Sequence, residues 1–160
     1  MNDLIKHFEG LRLESYKDSA GIPTIGYGRT KGVKMGMKCT KEQAEKWLEE
    51  DLEDARLRVA NAIIGKDLGL NTNEFEALVS LAYNLRSFEQ LAKHLPNKEL
   101  FKKKMLLYCK DVEGNYLKGL KIRRIAERLL FEGKSWVNVA KELQSKSLND
   151  IKKTEKELFT

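Results

Sequence analysis

The stretch from Phe8 to Gly28, FEGLRLESYKDSAGIPTIGYG, leaves the chain few local choices. Leading into it, Leu4, Ile5, Phe8 and Leu11 recur at helical spacing, and Gly10 suits the left-handed residue that closes a helix. Asp18-Ser19-Ala20-Gly21 then places Asp first and Gly last in a tight turn, flanked by runs containing Tyr16, Ile22, Ile25 and Tyr27. A short helix followed by a β-hairpin is therefore expected. Glu9 falls at the helix exit, Asp18 at the lip of the turn and Thr24 on the return strand, so the three polar groups could face one cleft. Taken singly, each has a plainer account as a solvated helix end, a turn former and a strand filler.

Taken jointly they resemble something specific. Eight residues separate Glu9 from Asp18, five separate Asp18 from Thr24, and GIPTIGYG follows the turn. This arrangement resembles the catalytic signature of the tailed-phage lysozymes, glycoside hydrolase family 24. A second match, Gly119-Leu120-Lys121-Ile122-Arg123-Arg124-Ile125-Ala126-Glu127, is similar to that family's GLxxRRxxE helix. The resemblance implies an α+β, mostly helical, lysozyme-like fold: a small N-terminal lobe with the hairpin, a long helix, a larger helical lobe and a cleft between them.

It also implies a reaction, hydrolysis of the β-1,4 bond between N-acetylmuramic acid and N-acetylglucosamine in bacterial peptidoglycan, with inversion and with no cofactor or metal. Glycosidic hydrolysis needs a proton for the leaving oxygen and stabilisation of an oxocarbenium-like transition state, hence two carboxyl groups. Glu9 is assigned the acid role, and Asp18 steadies positive charge or activates water. Thr24 holds that water, since a hydroxyl donates and accepts. The family sets one arginine of the second motif against the catalytic Glu, and position favours Arg123 over Arg124. The plainer account is an intrahelical pair with Glu127, worth about 0.2–0.5 kcal/mol on an exposed surface. Tyr83 and Asn84, ending SLAYN, together with Tyr27 and Thr30, are the implied substrate-binding residues. The chain departs from the family at Leu85-Arg86-Ser87, where a Val-Gly turn is usual, and at Asp111 to Lys118, where a Trp- and Gly-containing segment is usual.

Composition narrows the partners. The chain has 160 residues, 41% of them hydrophobic, enough for one sizeable core or two small lobes sharing a helix. Cys39 and Cys109 are too few for a disulfide framework, and no metal spacing surrounds them or His7 and His94. Both thiols are expected to be reduced and half-buried. The start, MNDLIKHFEG, has no apolar core of signal-peptide length and no later run could span a bilayer, so the expected product is a monomer held in the host cytoplasm until a holin gives it access to the wall. The net charge of +6 is concentrated in residues 93–134, with twelve Lys or Arg against five Asp or Glu. This favours a polyanionic partner. Acidic wall polymer fits better than nucleic acid, because no aromatics interleave with the basic run. Competing classes are an inactive wall-binding module on the same fold, a lysozyme serving virion entry or secretion, and a basic nucleic-acid binder.

The remaining elements follow from caps and periodicity. Val33, Met35 and Met37 alternate as a short edge strand. Thr40 and Gln43 form a capping box opening a helix over 41–64, with Ala44, Trp47, Leu48, Leu52, Ala55, Val59 and Ile63 inward and a solvated acidic face. Asn71 with Glu74 caps a helix whose buried stripe is Phe75, Leu78, Val79, Ala82 and Tyr83. Ser87 and Asn97 cap two more, the second burying Leu100, Phe101, Met105 and Tyr108. Ser135 precedes a helix with Trp136, Val137, Ala140 and Leu143 on one face, and Ser147 opens another carrying Leu148, Ile151, Leu158 and Phe159. One lysozyme-like domain over 1–160 is expected, divided into a lobe 1–40, a linking helix 41–64, a helical lobe 65–145 and an extra helix 146–160. That last helix should dock on the helical lobe rather than on a membrane, since residues 137–160 hold five lysines against four acids.

Overall fold

The computed structural model describes residues 2–160. In chain order it contains α1 (Asp3–Glu9), β1 (Arg12–Lys17), β2 (Pro23–Gly26), α2 (Lys41–Ile63), α3 (Thr72–Asn84), α4 (Phe88–Ala92), α5 (Lys98–Met105), α6 (Lys118–Phe131), α7 (Val137–Gln144) and α8 (Leu148–Phe159). The mostly helical α+β class with one hairpin is what the sequence leads one to expect. By packing, the chain divides into two compact units, Met1–Arg58 and Val59–Thr160, and the division falls inside α2.

In the first unit, β1 and β2 pair antiparallel with Tyr16 opposite Thr24 and Lys17 opposite Pro23, and a bulge lies between Arg12 and Tyr16. The expected strand at Val33 to Met37 does not form. Residues 37–39 supply the edge instead: Lys38 bridges Glu14, and the Cys39 and Ser15 amides donate to Leu13 O and Met37 O at 2.9 Å. Gly26, at φ 67, lies against α2, and a Cβ there would come within 3.2 Å of Ala44 Cβ. Close approach of hairpin and helix therefore requires glycine. The capping box of α2 is made, with Gln43 N donating to Thr40 Oγ1 at 3.2 Å and Thr40 N to Gln43 Oε1 at 3.0 Å. Its acidic face is not simply solvated. Arg29 reaches Asp51 at 2.7 Å and Glu50 at 3.3 Å, Lys31 reaches Asp54 at 2.7 Å, and Lys6 reaches Glu45 at 3.4 Å.

In the second unit α3 and α6 form the centre. Every residue from Ala77 to Ala82 and from Lys121 to Leu129 is buried, more than one stripe of each helix, because α3 packs on α6 while α5, α7 and α8 cover further sides of α6. This displaces the expected stripe of α3: Phe75 and Tyr83 are half-buried, and Ser80 lies inside. Asn71 and Glu74 make both bonds of their capping box, at 2.9 and 3.0 Å. Asn97 caps α5 through Leu100 N at 3.0 Å, whereas Ser87 makes no side-chain cap to α4 and Trp136, not Ser135, is the cap position of α7. Leu100 and Val137 are exposed rather than inward, and Cys109 is fully rather than half buried. Ser147 caps α8 through Asp150 N at 3.2 Å. Helix α8 docks on α6 through buried Ile151, a Lys121–Glu155 ion pair and Arg128, whose guanidinium lies 4.0 Å from the Phe159 ring centre.

Candidate functional site

Glu9 is the last residue of α1 and is half-buried. Gly10, which follows, has φ 67 and ψ 162. Its φ is positive as the spacing leads one to expect, but its ψ belongs to an extended region open essentially to glycine alone rather than to the left-handed helical region. The chain therefore leaves α1 abruptly and enters β1 within two residues.

Asp18 shapes the hairpin turn. Its Oδ1 accepts from Ala20 N and Ile22 N, both at 2.9 Å, and its backbone carbonyl accepts from Gly21 N at 2.9 Å. One carboxylate oxygen is thus fixed by the turn, which orients Oδ2 for other work. Thr24 is 4% exposed and its hydroxyl donates to Ile22 O at 2.8 Å. Because the hydroxyl proton is used there, its remaining capacity is to accept.

Thr24 is paired with Tyr16. Residues directly opposite in an antiparallel pair share a face, so Tyr16 lies beside Thr24. Burial pushes the Tyr16 phenol above its usual pKa; the charge of Arg12, 4.2 Å from the ring centre, opposes this, and the negative charges of Glu9 and Asp18 add to it. Both carboxylates are therefore felt at one tyrosine. Tyr27 is buried with Lys6 Nζ 5.6 Å from its ring centre, and Thr30 is exposed with its carbonyl accepting from Val33 N at 3.3 Å.

The second unit holds the other four residues singled out by sequence. Arg124 Nη2 donates to Asn84 Oδ1 at 2.7 Å and to Glu127 Oε1 at 3.0 Å, and Arg123 Nε donates to the same Oε1 at 3.1 Å. Arg124 and Glu127 are both 0% exposed. Burial pulls the Arg124 guanidinium below its usual pKa, Glu127 opposes this and Arg123 reinforces it. A surface-pair magnitude does not apply to such a cluster, since removing one member of a buried ion pair costs roughly 3–5 kcal/mol. Tyr83, at the end of α3, is half-buried.

Residues 6–127 match the family described as Phage lysozyme. The chain belongs to the phage lysozyme family. Among its relatives the endolysin of Lactococcus phage c2 is 38% identical over 135 residues, which is 81% of this chain and 57% of that protein. The endolysin from Escherichia coli O157:H7 phage FAHEc1 is 43% identical with a TM-score of 0.69, covering 81% of this chain and 88% of that one. The muramidase domain of SpmX from Asticaccaulis excentricus is 30% identical with a TM-score of 0.71, covering 81% and 92%. The chain spans little more than half the length of the first curated relatives it matches.

Tyr16 and Ser80 carry no site signal that sequence reasoning used. Tyr16 reads as a strand residue, and its pairing with Thr24 depends on the register set by the turn. Ser80 reads as one small residue in an apolar helix; the only hint is a lone hydroxyl four positions before Asn84.

Proposed function

We propose that this phage lysozyme family member hydrolyses the β-1,4 bond between N-acetylmuramic acid and N-acetylglucosamine in bacterial peptidoglycan. The observation that carries the proposal is the first-unit hairpin, in which the turn holds Asp18 through Oδ1 and the Thr24 hydroxyl, donating to Ile22 O, keeps its capacity to accept. Glu9 gives its proton to the leaving oxygen. Asp18, held by the turn through Oδ1, uses Oδ2 to steady the developing positive charge or to take a proton from water, and Thr24 Oγ1 accepts a hydrogen bond from that water. Arg123 and Arg124 are the residues assigned to support the acid, Arg123 being favoured by its place in the motif. Tyr83, Asn84, Tyr27 and Thr30 bind the glycan.

Names of the relatives support a role as an endolysin that lyses the host of a phage or prophage. No helix among the described residues is long and apolar enough to cross a membrane. On this proposal one lysozyme-like domain acts as a monomer, waits in the host cytoplasm and reaches the wall when a holin releases it. The decisive experiment is Glu9→Gln on purified peptidoglycan. Loss of the acid should lower turnover by about 10²–10⁴-fold with the melting temperature preserved. Turnover equal to wild type removes Glu9 from the acid role. Product analysis by NMR completes the test: the α anomer signifies inversion, and the β anomer defeats it.

A further inference from the structure

Asn84 ends α3, and its Oδ1 accepts from Arg124 Nη2 at 2.7 Å. A guanidinium has only donors, so the carbonyl end of the amide has to face it. The Nδ2 end is thereby turned away, and Nδ2 has no hydrogen-bond partner among the described residues. Asn84 is half-buried, so part of the residue remains exposed.

The arginine that fixes this amide is itself held from behind. Glu127 Oε1 collects three donors: Arg124 Nη2 at 3.0 Å, Arg123 Nε at 3.1 Å and Ser80 Oγ at 2.6 Å. Arg124 Nε lies 2.7 Å from Glu127 Oε2, an ion-pair contact without hydrogen-bond alignment. Ser80, Arg124 and Glu127 are all within 1% of complete burial. Apolar residues of similar volume often stabilise a fold as well as a buried ion pair does. What the cluster adds is orientation: Arg124 cannot rotate without breaking its contacts to the fully buried Glu127 carboxylate.

We infer that Ser80 and Glu127 are positioning residues which, through Arg124, set the polarity of the Asn84 amide so that this position presents only a donor to the bound glycan. A sugar hydroxyl both donates and accepts and is not discriminated by such a group. A pure acceptor is, and among those that recur along a peptidoglycan strand the carbonyl oxygen of the N-acetyl group is a stronger acceptor than the ring and glycosidic oxygens. The ligand's identity rests on the proposed wall hydrolysis, whereas the polarity rests on the hydrogen bonds alone.

Asn84→Asp tests the polarity, since it keeps shape and the bond from Arg124 but turns an acceptor outward. The N-acetylglucosamine tetramer, titrated by NMR, should bind the variant at least tenfold more weakly, while its fully deacetylated counterpart loses no affinity. Equal binding of the acetylated tetramer to both proteins overturns the donor assignment. Ser80→Ala tests positioning without burying a bare charge. It should shift the side-chain amide signals of Asn84 and the Nε signal of Arg124 and raise KM with kcat largely kept. Unmoved signals overturn the positioning role. Combined with Asn84→Asp it should add nothing to the loss in tetramer binding, and additive losses point to a merely structural serine and overturn it as well. A wild-type chain that neither cleaves wall nor binds the tetramer defeats the proposed function, and the amide signals then decide the positioning by themselves.

Discussion

The hairpin groups and the α6 cluster are polar sites built at opposite ranges. Asp18 is held by amides two and four residues away, on a partly exposed turn. Glu127 is held by a serine 47 residues earlier in a fully buried setting, and Arg124 reaches an asparagine 40 residues earlier. A local site of the first kind leans on backbone geometry and on water, so a change there alters chemistry more than stability. In a distant, desolvated site of the second kind, each member compensates another's burial, and a change alters stability first.

The largest expected effect comes from breaking the buried side of this contrast. Glu127→Ala leaves two guanidinium groups without their shared carboxylate and should cost about 3–5 kcal/mol in urea unfolding. Asp18→Asn is its counterpart: it retains Oδ1 for both turn amides, should stay within about 0.5 kcal/mol of wild type and should still lose wall hydrolysis. Equal stability losses in the two variants would erase the distinction.

Next in size is removal of residues 146–160. Losing the burial of Ile151 alone costs about 1.5–3 kcal/mol, so the melting temperature should fall while activity on purified wall persists. Retained stability with lost killing of intact cells would mark the tail as a membrane device instead. Gly10→Ala forces a side chain into a backbone region that is nearly glycine-only, at about 1–3 kcal/mol, although open space surrounds the position. Its effect separates backbone strain from packing in the local site, since an unchanged melting temperature would mean that the α1 exit relaxes freely.

The smallest effect is a pH dependence in the second unit. Burial works against the Glu132 carboxylate, but hydrogen bonds from Lys134 at 3.0 Å and Arg128 at 3.2 Å, with their charges, outweigh it and hold its pKa below the usual range for a glutamate. A carboxylate lowered in the folded state contributes stability that is present above its unfolded pKa and is lost as pH falls through the folded one. Melting temperatures taken downward from about pH 5 should therefore fall less steeply for Glu132→Gln than for wild type. Parallel curves would show that these ion pairs do not couple to folding.

How much was legible in the sequence follows the same division by range. The hairpin, the capping boxes of α2 and α3, the caps at Asn97 and Ser147 and the spacing of Glu9, Asp18 and Thr24 rest on bonds spanning a few residues, so short windows carry them. Where such a window misled, tertiary contact intervened. The edge pairing of β1 moved to residues 37–39 because Leu13 and Ser15 offered partners there, and α3 buried Ser80 because α6 covers a second side of it.

By itself, the sequence determined the order of helices and hairpin, the family and the identity of the polar residues, because periodicity, turn chemistry and motif spacing are local properties of the chain. Only the tertiary structure decided that Thr24 has spent its proton on Ile22, that Tyr16 pairs with Thr24, and that Glu127 serves two arginines and a serine at once. Hydrogen-bond direction and burial depend on which distant atoms arrive beside a group, and no spacing along the chain encodes that.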